Sequence, residues 1–313
     1  DRFGNQLPYL EEIRLKINVP GEDAHALFLK GQLDLLFDLP IEDLQGAFGT
    51  LYDAKRGKNP LHEIYIKPAA KVHDLQFNCT QAPFDNPNIR KAFSMAIDAT
   101  TICNNVLMGE GRALNNLLIP TTTQHKNPYL QPDSRNFSEK MNEAKALLRQ
   151  EGYPSMASFP KIKFYTGSKK NTAAYKWSVA VARMLEQHLG ITLELFEQQQ
   201  TLKMPPASIY RVGWVGDYPG PESYLRLFYS AAQKQLYFKN KLVDSLYLAS
   251  VFAGSTSEKV AAQHRCEKAI IDQQALIPIY TEDFIALYRI GVRNFNLNES
   301  GLLDYAKVFI KEL

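Results

Sequence analysis

Two stretches of this sequence follow one grammar: an amphipathic helix, a glycine stop, then a short apolar strand. In "FSEKMNEAKALLRQEG" Met141, Ala144, Leu147 and Leu148 share one helical face, Gly152 stands where a C′ residue belongs, and "KIKFYT" follows as a strand. The pattern recurs with a helix from about Thr172 to Leu189, a stop at Gly190 and the strand "ITLELF". A helix that can bury only one stripe, placed between strands, predicts α/β layering, with open sheets covered by helices.

The remaining segments fit that class. "EEIRLKINV" alternates Ile13, Leu15, Ile17 and Val19, which predicts a strand with one buried face. Residues 22 to 30 read as a short helix stopped at Gly31, followed by a strand in "LDLLFDL" that Pro40 ends. Further strands are expected from Leu61 to Lys67 and from Leu75 to Asn78. "NIRKAFSMAIDATTICNNVL" reads as one or two helices, with Ile89, Ala92, Phe93, Ala96 and Ile97 on the buried stripe. Residues 109 to 133 are irregular and interrupted by Pro120, Pro128 and Pro132, and "GEG" at 109 to 111 reads as a turn. Ser255 and Glu258 have capping-box spacing before a helix running to about Ala275. "LIPIYTEDFIALYRI" then resumes extended structure, and "YAKVFI" is expected to pair with an earlier strand.

Charge and motif content narrow the function. The 36 basic and 33 acidic residues leave only +3, and the cluster Lys55, Arg56 and Lys58 is too short to track a phosphate backbone, so nucleic acid is not an expected partner. No apolar run approaches the ~18 residues of a membrane helix. The start, "DRFGNQLPYL", has neither a charged n-region nor an apolar h-region, which fits a cytoplasmic chain, a processed one or part of a longer one. Cys79, Cys103 and Cys266 form no disulfide framework, and Cys266 falls at helical spacing as a small buried residue. The six histidines (25, 62, 73, 125, 188 and 264) include no HExxH or other close ligand spacing, so neither a metal nor a cofactor is expected. There is no G-x-S-x-G elbow, Walker loop or dinucleotide fingerprint, and the chain does not read as an enzyme.

Binding chemistry is concentrated in "GWVGDYPGPESYL", residues 213 to 225. Asp217 beside Trp214 resembles an amine-binding corner, in which a carboxylate takes a cation and a ring excludes water. The alternative is a core tryptophan followed by a turn-forming aspartate ahead of Tyr218 and Pro219.

The wider stretch "YRVGWVGDYPGPESYLRLFYS" resembles the GW-x-(A/G)-D-Y-x-x-P-x-x-(F/Y)-L region of extracellular solute-binding proteins serving oligopeptide, dipeptide and nickel ABC transporters. "LPYLEEIRLKI", "ALFLKGQLDLLFDLPIEDL", "LQFNCTQAPFDNPNIRKAFSMAID", "EAKALLRQEGYP", "HLGITLEL" and "LIPIY" resemble other family blocks in the same order, covering nearly the whole chain. The resemblance implies a periplasmic-binding-protein-like type II fold, two-lobed around a cleft, with lobe one incomplete. It assigns residues 1–76 to the latter part of lobe one, 77–280 to lobe two and 281–313 to a return segment, with a missing N-terminal part of the same protein as a partner.

By the same resemblance the protein is a periplasmic or extracellular peptide receptor working with ABC transporter permease subunits, with lipid anchoring through the missing N-terminus as an option. Asp217 then matches the aspartate that receives a ligand's α-amino group, Trp214 an aromatic lining a side-chain pocket, and Arg211 a basic residue that meets a peptide carboxylate. Tyr218 belongs to the same motif, and Asn78 falls at the junction between lobes. The chain departs from the family in "FEQQQTLKMPPAS", which is shortened and lacks the customary tryptophan, in Gly220, and in Val215, which offers no partner to Cys79. A same-fold receptor for a nickel chelate, haem, opine or oligosaccharide, and the solute-sensing domain of a transcriptional regulator, remain as alternatives.

Overall fold

The computed structural model describes residues 6–17, 21–37, 62–108, 111–114, 127–130, 133–170, 172–197, 205–218, 220–232, 237–297 and 303–311. Most of the expected turn at 109 to 111, and the middle of the shortened segment between Phe196 and Ser208, lie outside them. In chain order the elements are α1 (Gly21–Leu29), β1 (Leu35–Phe37), β2 (His62–Phe77), α2 (Pro87–Ala96), β3 (Gly111–Ala113), α3 (Phe137–Gln150), β4 (Ile162–Tyr165), α4 (Ala173–Leu189), β5 (Leu193–Phe196), β6 (Ile209–Val215), the single turn α5 (Glu222–Leu225), α6 (Lys241–Val251), α7 (Thr256–Asp272), β7 (Leu276–Arg289), β8 (Val292–Arg293) and β9 (Phe309–Ile310). No helix among the described residues is long and apolar enough to cross a membrane.

Contacts divide the chain into two units, residues 70–282 and residues 1–69 with 283–313. In the larger unit the strand order is β3, β7, β2, β6, β4, β5. The β2–β6 and β3–β7 pairs are antiparallel, while β4 is parallel to both β5 and β6. Strand β4, helix α4 and strand β5 make the crossover that parallel neighbours require. Strand alternation on β2 sends Leu75 and Phe77 into a core with α2, α3 and α4, around Phe93, Trp177 and Val181, and Val72 into a second core with α6 and α7, around Phe228, Val243 and Ile270. Cys266 is buried in the second core.

The smaller unit has its own core of Phe28, Leu36, Ile285 and Leu287. There β1 pairs antiparallel with β7, and β8 pairs with β9, so "YAKVFI" does end in a paired strand. The expected strand over residues 11 to 19 is not found in its described part: residues 12–17 form no ladder, and Ile13, Leu15 and Ile17 are 44%, 68% and 77% exposed. Alternation predicts which face would be buried, but a strand exists only where a neighbour pairs with it.

Local chemistry sets the helix ends. Asn136 and Glu139 close a reciprocal capping box on α3, Ser255 caps Glu258 on α7, and Gly152 (φ 91°) and Gly190 (φ 73°) take the left-handed conformation at the ends of α3 and α4. Asp98 accepts from the backbone N–H groups of Thr100 and Thr101, which restarts the chain after α2 as a separate short turn.

Arg90, only 3% exposed, explains the arginine of the "NIRKAF" block. Its Nε donates to the carbonyls of Gln273 (3.1 Å) and Gln274 (3.0 Å), and its Nη1 to those of Phe84 (2.6 Å) and Asp85 (3.2 Å). Cation and donors thus meet the orphan carbonyls after α7, where the helix dipole is negative, and join α2 to it.

Candidate functional site

Strand β6 sets the positions of the candidate residues by register. Arg211 lies opposite Leu75, Gly213 opposite His73 and Val215 opposite Lys71. Beyond the strand, Gly216 donates its N–H to the Ala70 carbonyl at 2.9 Å, and the Tyr224 hydroxyl donates to the same carbonyl at 2.7 Å. A Cβ on Gly216 would lie 2.9 Å from that hydroxyl, so the close approach requires glycine.

The turn that follows is fastened by Ser223, itself 2% exposed. Its carbonyl accepts from Trp214 Nε1 at 3.0 Å, and its Oγ accepts from the backbone N–H of Asp217 at 2.7 Å. One buried serine therefore holds both members of the expected aromatic–carboxylate pair. Trp214 is partly buried and packs against the second core. The Asp217 side chain is exposed, and no described residue gives its carboxylate a hydrogen bond or ion pair. Tyr218, 48% exposed, follows it, with partial burial and then the Glu222 charge raising the pKa of its hydroxyl. Glu222 is itself ion-paired with Lys259.

Arg211 and Asn78 occupy other surroundings. The Arg211 guanidinium donates from Nε to the Thr166 carbonyl and from Nη2 to the Gly167 carbonyl at 3.3 Å; burial depresses its pKa, against the pull of Tyr280, Tyr165 and Asp74. Among the described residues it makes no ion pair. Asn78, 4% exposed, folds its amide into its own turn: Oδ1 accepts from the N–H and hydroxyl of Thr80 (3.2 and 2.7 Å), and Nδ2 reaches Gln81 and the Ala207 carbonyl, both at 3.4 Å. Trp214 near the end of β6 and Asp217 and Tyr218 just beyond it are thus close in the chain, while Arg211 lies earlier on β6 and Asn78 just past β2.

A charged cluster that sequence patterning did not single out lies next to Arg211. Glu282 of β7 pairs with Lys71 and lies 2.8 Å from His73 Nε2. Burial opposes ionisation of Glu282, but the hydrogen bonds from His73 and Lys71 outweigh it and hold the carboxyl at about 2. His73 stacks on Tyr280, with ring centroids 4.3 Å apart, and burial lowers its pKa against the pull of Glu282. A separate cavity of about 510 Å³ is lined by Lys91, Asp98, Arg135, Lys140, Gln274 and Pro278 among others, and includes none of the expected site residues. No group of three or more His, Cys, Asp or Glu among the described residues could hold a metal ion.

Comparison with known proteins places these features in a family. Residues 1–235 match the family model described as bacterial extracellular solute-binding proteins, family 5 Middle. The periplasmic murein peptide-binding protein MppA of Escherichia coli is 24% identical over 252 residues, 78% of this chain and 46% of that protein. The oligopeptide-binding protein OppA of Bacillus subtilis is 26% identical over 228 residues, 69% of this chain and 41% of its own length. Among solved structures, Haemophilus influenzae OppA in complex with RPPGFSPFR superposes with a TM-score of 0.73 at 21% identity, over 93% of this chain and 57% of that one. The mixed α/β fold is therefore that of the periplasmic binding proteins, and the chain spans about half the length of the curated relatives it matches. By its family model, with the likeness of fold beside it, this chain belongs to the bacterial extracellular solute-binding proteins of family 5.

Proposed function

We propose that the protein captures peptides at the cell envelope for an ABC importer, with Asp217 receiving the ligand's α-amino group and Trp214 walling the adjacent side-chain pocket. The observation that carries this reading is the Asp217 carboxylate: its backbone is fixed to buried Ser223, while the side chain is exposed and without a described partner. A fixed anion beside a ring suits an ammonium group, since part of the ordering cost of binding is already met. The names of the relatives, a murein peptide-binding and an oligopeptide-binding protein, support peptide as the cargo class.

In this proposal residues 70–282 are lobe two, and residues 1–69 with 283–313 belong to lobe one. Permease subunits and the remaining part of a full-length receptor are the partners, and the compartment is the periplasm or cell exterior. Arg211 offers a ligand oxygen its Nη1, which makes no hydrogen bond to a described residue. Tyr218 flanks the amine, and Asn78 holds the end of β2. The reading is tested by mass spectrometry of small molecules released when the natively purified protein is denatured. Peptides with free amino termini are the expected release; a haem, metal chelate or sugar in stoichiometric amount would overturn the peptide reading.

A further inference from the structure

We infer that the cavity between α2, the start of α3 and the start of β7 is a second binding site, taking a small amphiphilic anion, a carboxylate with an apolar body, whose head group is received by Lys140. The inference stands apart from the peptide reading above, since none of the residues proposed for the peptide lines this cavity.

The cavity, about 510 Å³, has the size of a small-molecule site, for which the range is roughly 300–1,000 Å³. Its lining lies entirely within residues 70–282. Lys91, Ser94 and Met95 reach it from one face of α2, and Phe137 and Lys140 from the first turn of α3, where residues three apart are neighbours. Gln274 precedes β7, and Ile277 and Pro278 close the cavity from that strand. Met95, Ile97, Phe137, Ile277 and Pro278 give it an apolar wall.

The charges of the lining decide what that wall can hold. Arg135 donates to Asp133 from Nε (2.8 Å) and Nη2 (2.6 Å) and to Glu143 from Nη1, and Lys91 donates to the other oxygen of Glu143 at 2.8 Å. The hydrogen bonds from Arg135 hold the Asp133 carboxyl at about 2. Asp98 accepts from the N–H groups of Thr100 (2.9 Å) and Thr101 (3.1 Å) and from the Thr101 hydroxyl (2.6 Å). Both carboxylates of the lining are thus engaged by donors of the chain itself. Lys140 differs from the other two lining cations: its ammonium makes no hydrogen bond to a described residue, stands 3.8 Å from Asp133 Oδ2, and its side chain is 27% exposed. A ligand entering here meets a cation with donors to give, beside acids that already have theirs. That arrangement favours an anionic oxygen over an ammonium group, and the wall next to it gains from burying a hydrocarbon body.

The test is titration of the natively purified protein with octanoate, octylammonium and acetate, followed by calorimetry, using wild-type, Lys140→Gln and Lys140→Arg proteins whose folding is checked by thermal unfolding. Octanoate should bind wild type saturably at one site, and octylammonium and acetate, which lack the charge or the body, at least about tenfold more weakly. Lys140→Gln should weaken octanoate about tenfold, the scale of one charge-assisted hydrogen bond, and Lys140→Arg, which keeps the charge, should stay within about threefold of wild type. Excess trialanine should leave octanoate bound. Absence of saturable octanoate binding, wild-type affinity in folded Lys140→Gln, equal binding of octylammonium, or displacement by trialanine each overturns the second site. None of these results but the last involves the peptide site, so the proposal can fail while the peptide reading stands.

Discussion

Asp74 lies on β2 next to His73 and is only 2% exposed. Burial drives its carboxyl up to about 7, with Gln76 and the charge of Arg211 pulling the other way. A folded-state pKa above the unfolded value means that the folded chain holds the proton more tightly. The stability this contributes is complete below the ordinary carboxylate range and is lost as pH rises towards 7. Asp74→Asn, which cannot ionise, should therefore gain thermal stability relative to wild type as pH rises from 5 to 8. The difference is on the order of 4 kcal/mol at most, at 1.36 kcal/mol per pKa unit. Following the difference between the two proteins isolates Asp74 from the lowered pKa values of His62 and His73, which act in the opposite sense. A pH-independent difference would show that Asp74 is ionised throughout. Neither Asp74 nor the His73–Glu282 pair was legible as a site in the sequence. The pair is 209 residues apart, and only strand pairing brings it together. Trp214 and Asp217 were legible because they lie three residues apart in one short motif.

Several elements fixed by local chemistry were read correctly, and those fixed by partners only in part. Helices α3, α4 and α7 carry their own caps within a few residues, so periodicity and capping residues sufficed to place them. Strands depend on distant neighbours. The expected strands Leu61–Lys67 and Leu75–Asn78 are one strand, β2, and between them Lys71 and His73 both reach Glu282. The alternating segment 12–17 has no ladder among the described residues and forms no strand. The link between α2 and α7 makes a prediction at this scale. Arg90→Lys retains the charge but loses the planar fork that serves carbonyls on two sides, leaving buried acceptors unsatisfied. Urea unfolding should show a loss of about 2–4 kcal/mol without a change in secondary structure. Wild-type stability in that variant would mean that the carbonyls after α7 find other donors.

For the molecule as a whole, the family and fold were legible because short motifs occur in the right order over nearly the full chain. The division between units was harder to place. The sequence put it at 76/77 and 280/281, whereas contacts put it at 69/70 and 282/283, inside β2 and β7, where the chain runs on as strand across each division. The central claim is that an exposed carboxylate on a buried serine anchor binds a peptide's amino terminus, and calorimetry on the full-length receptor tests it most directly. Wild-type and Asp217→Asn proteins are titrated with one peptide, free and N-acetylated. The account predicts that wild type with the free peptide binds about tenfold or more tighter than the other three combinations, since a charge-assisted hydrogen bond contributes roughly 1.5–3 kcal/mol. Equal affinity in all four combinations, with both proteins folded, would contradict it and leave Asp217 as a residue of the turn alone.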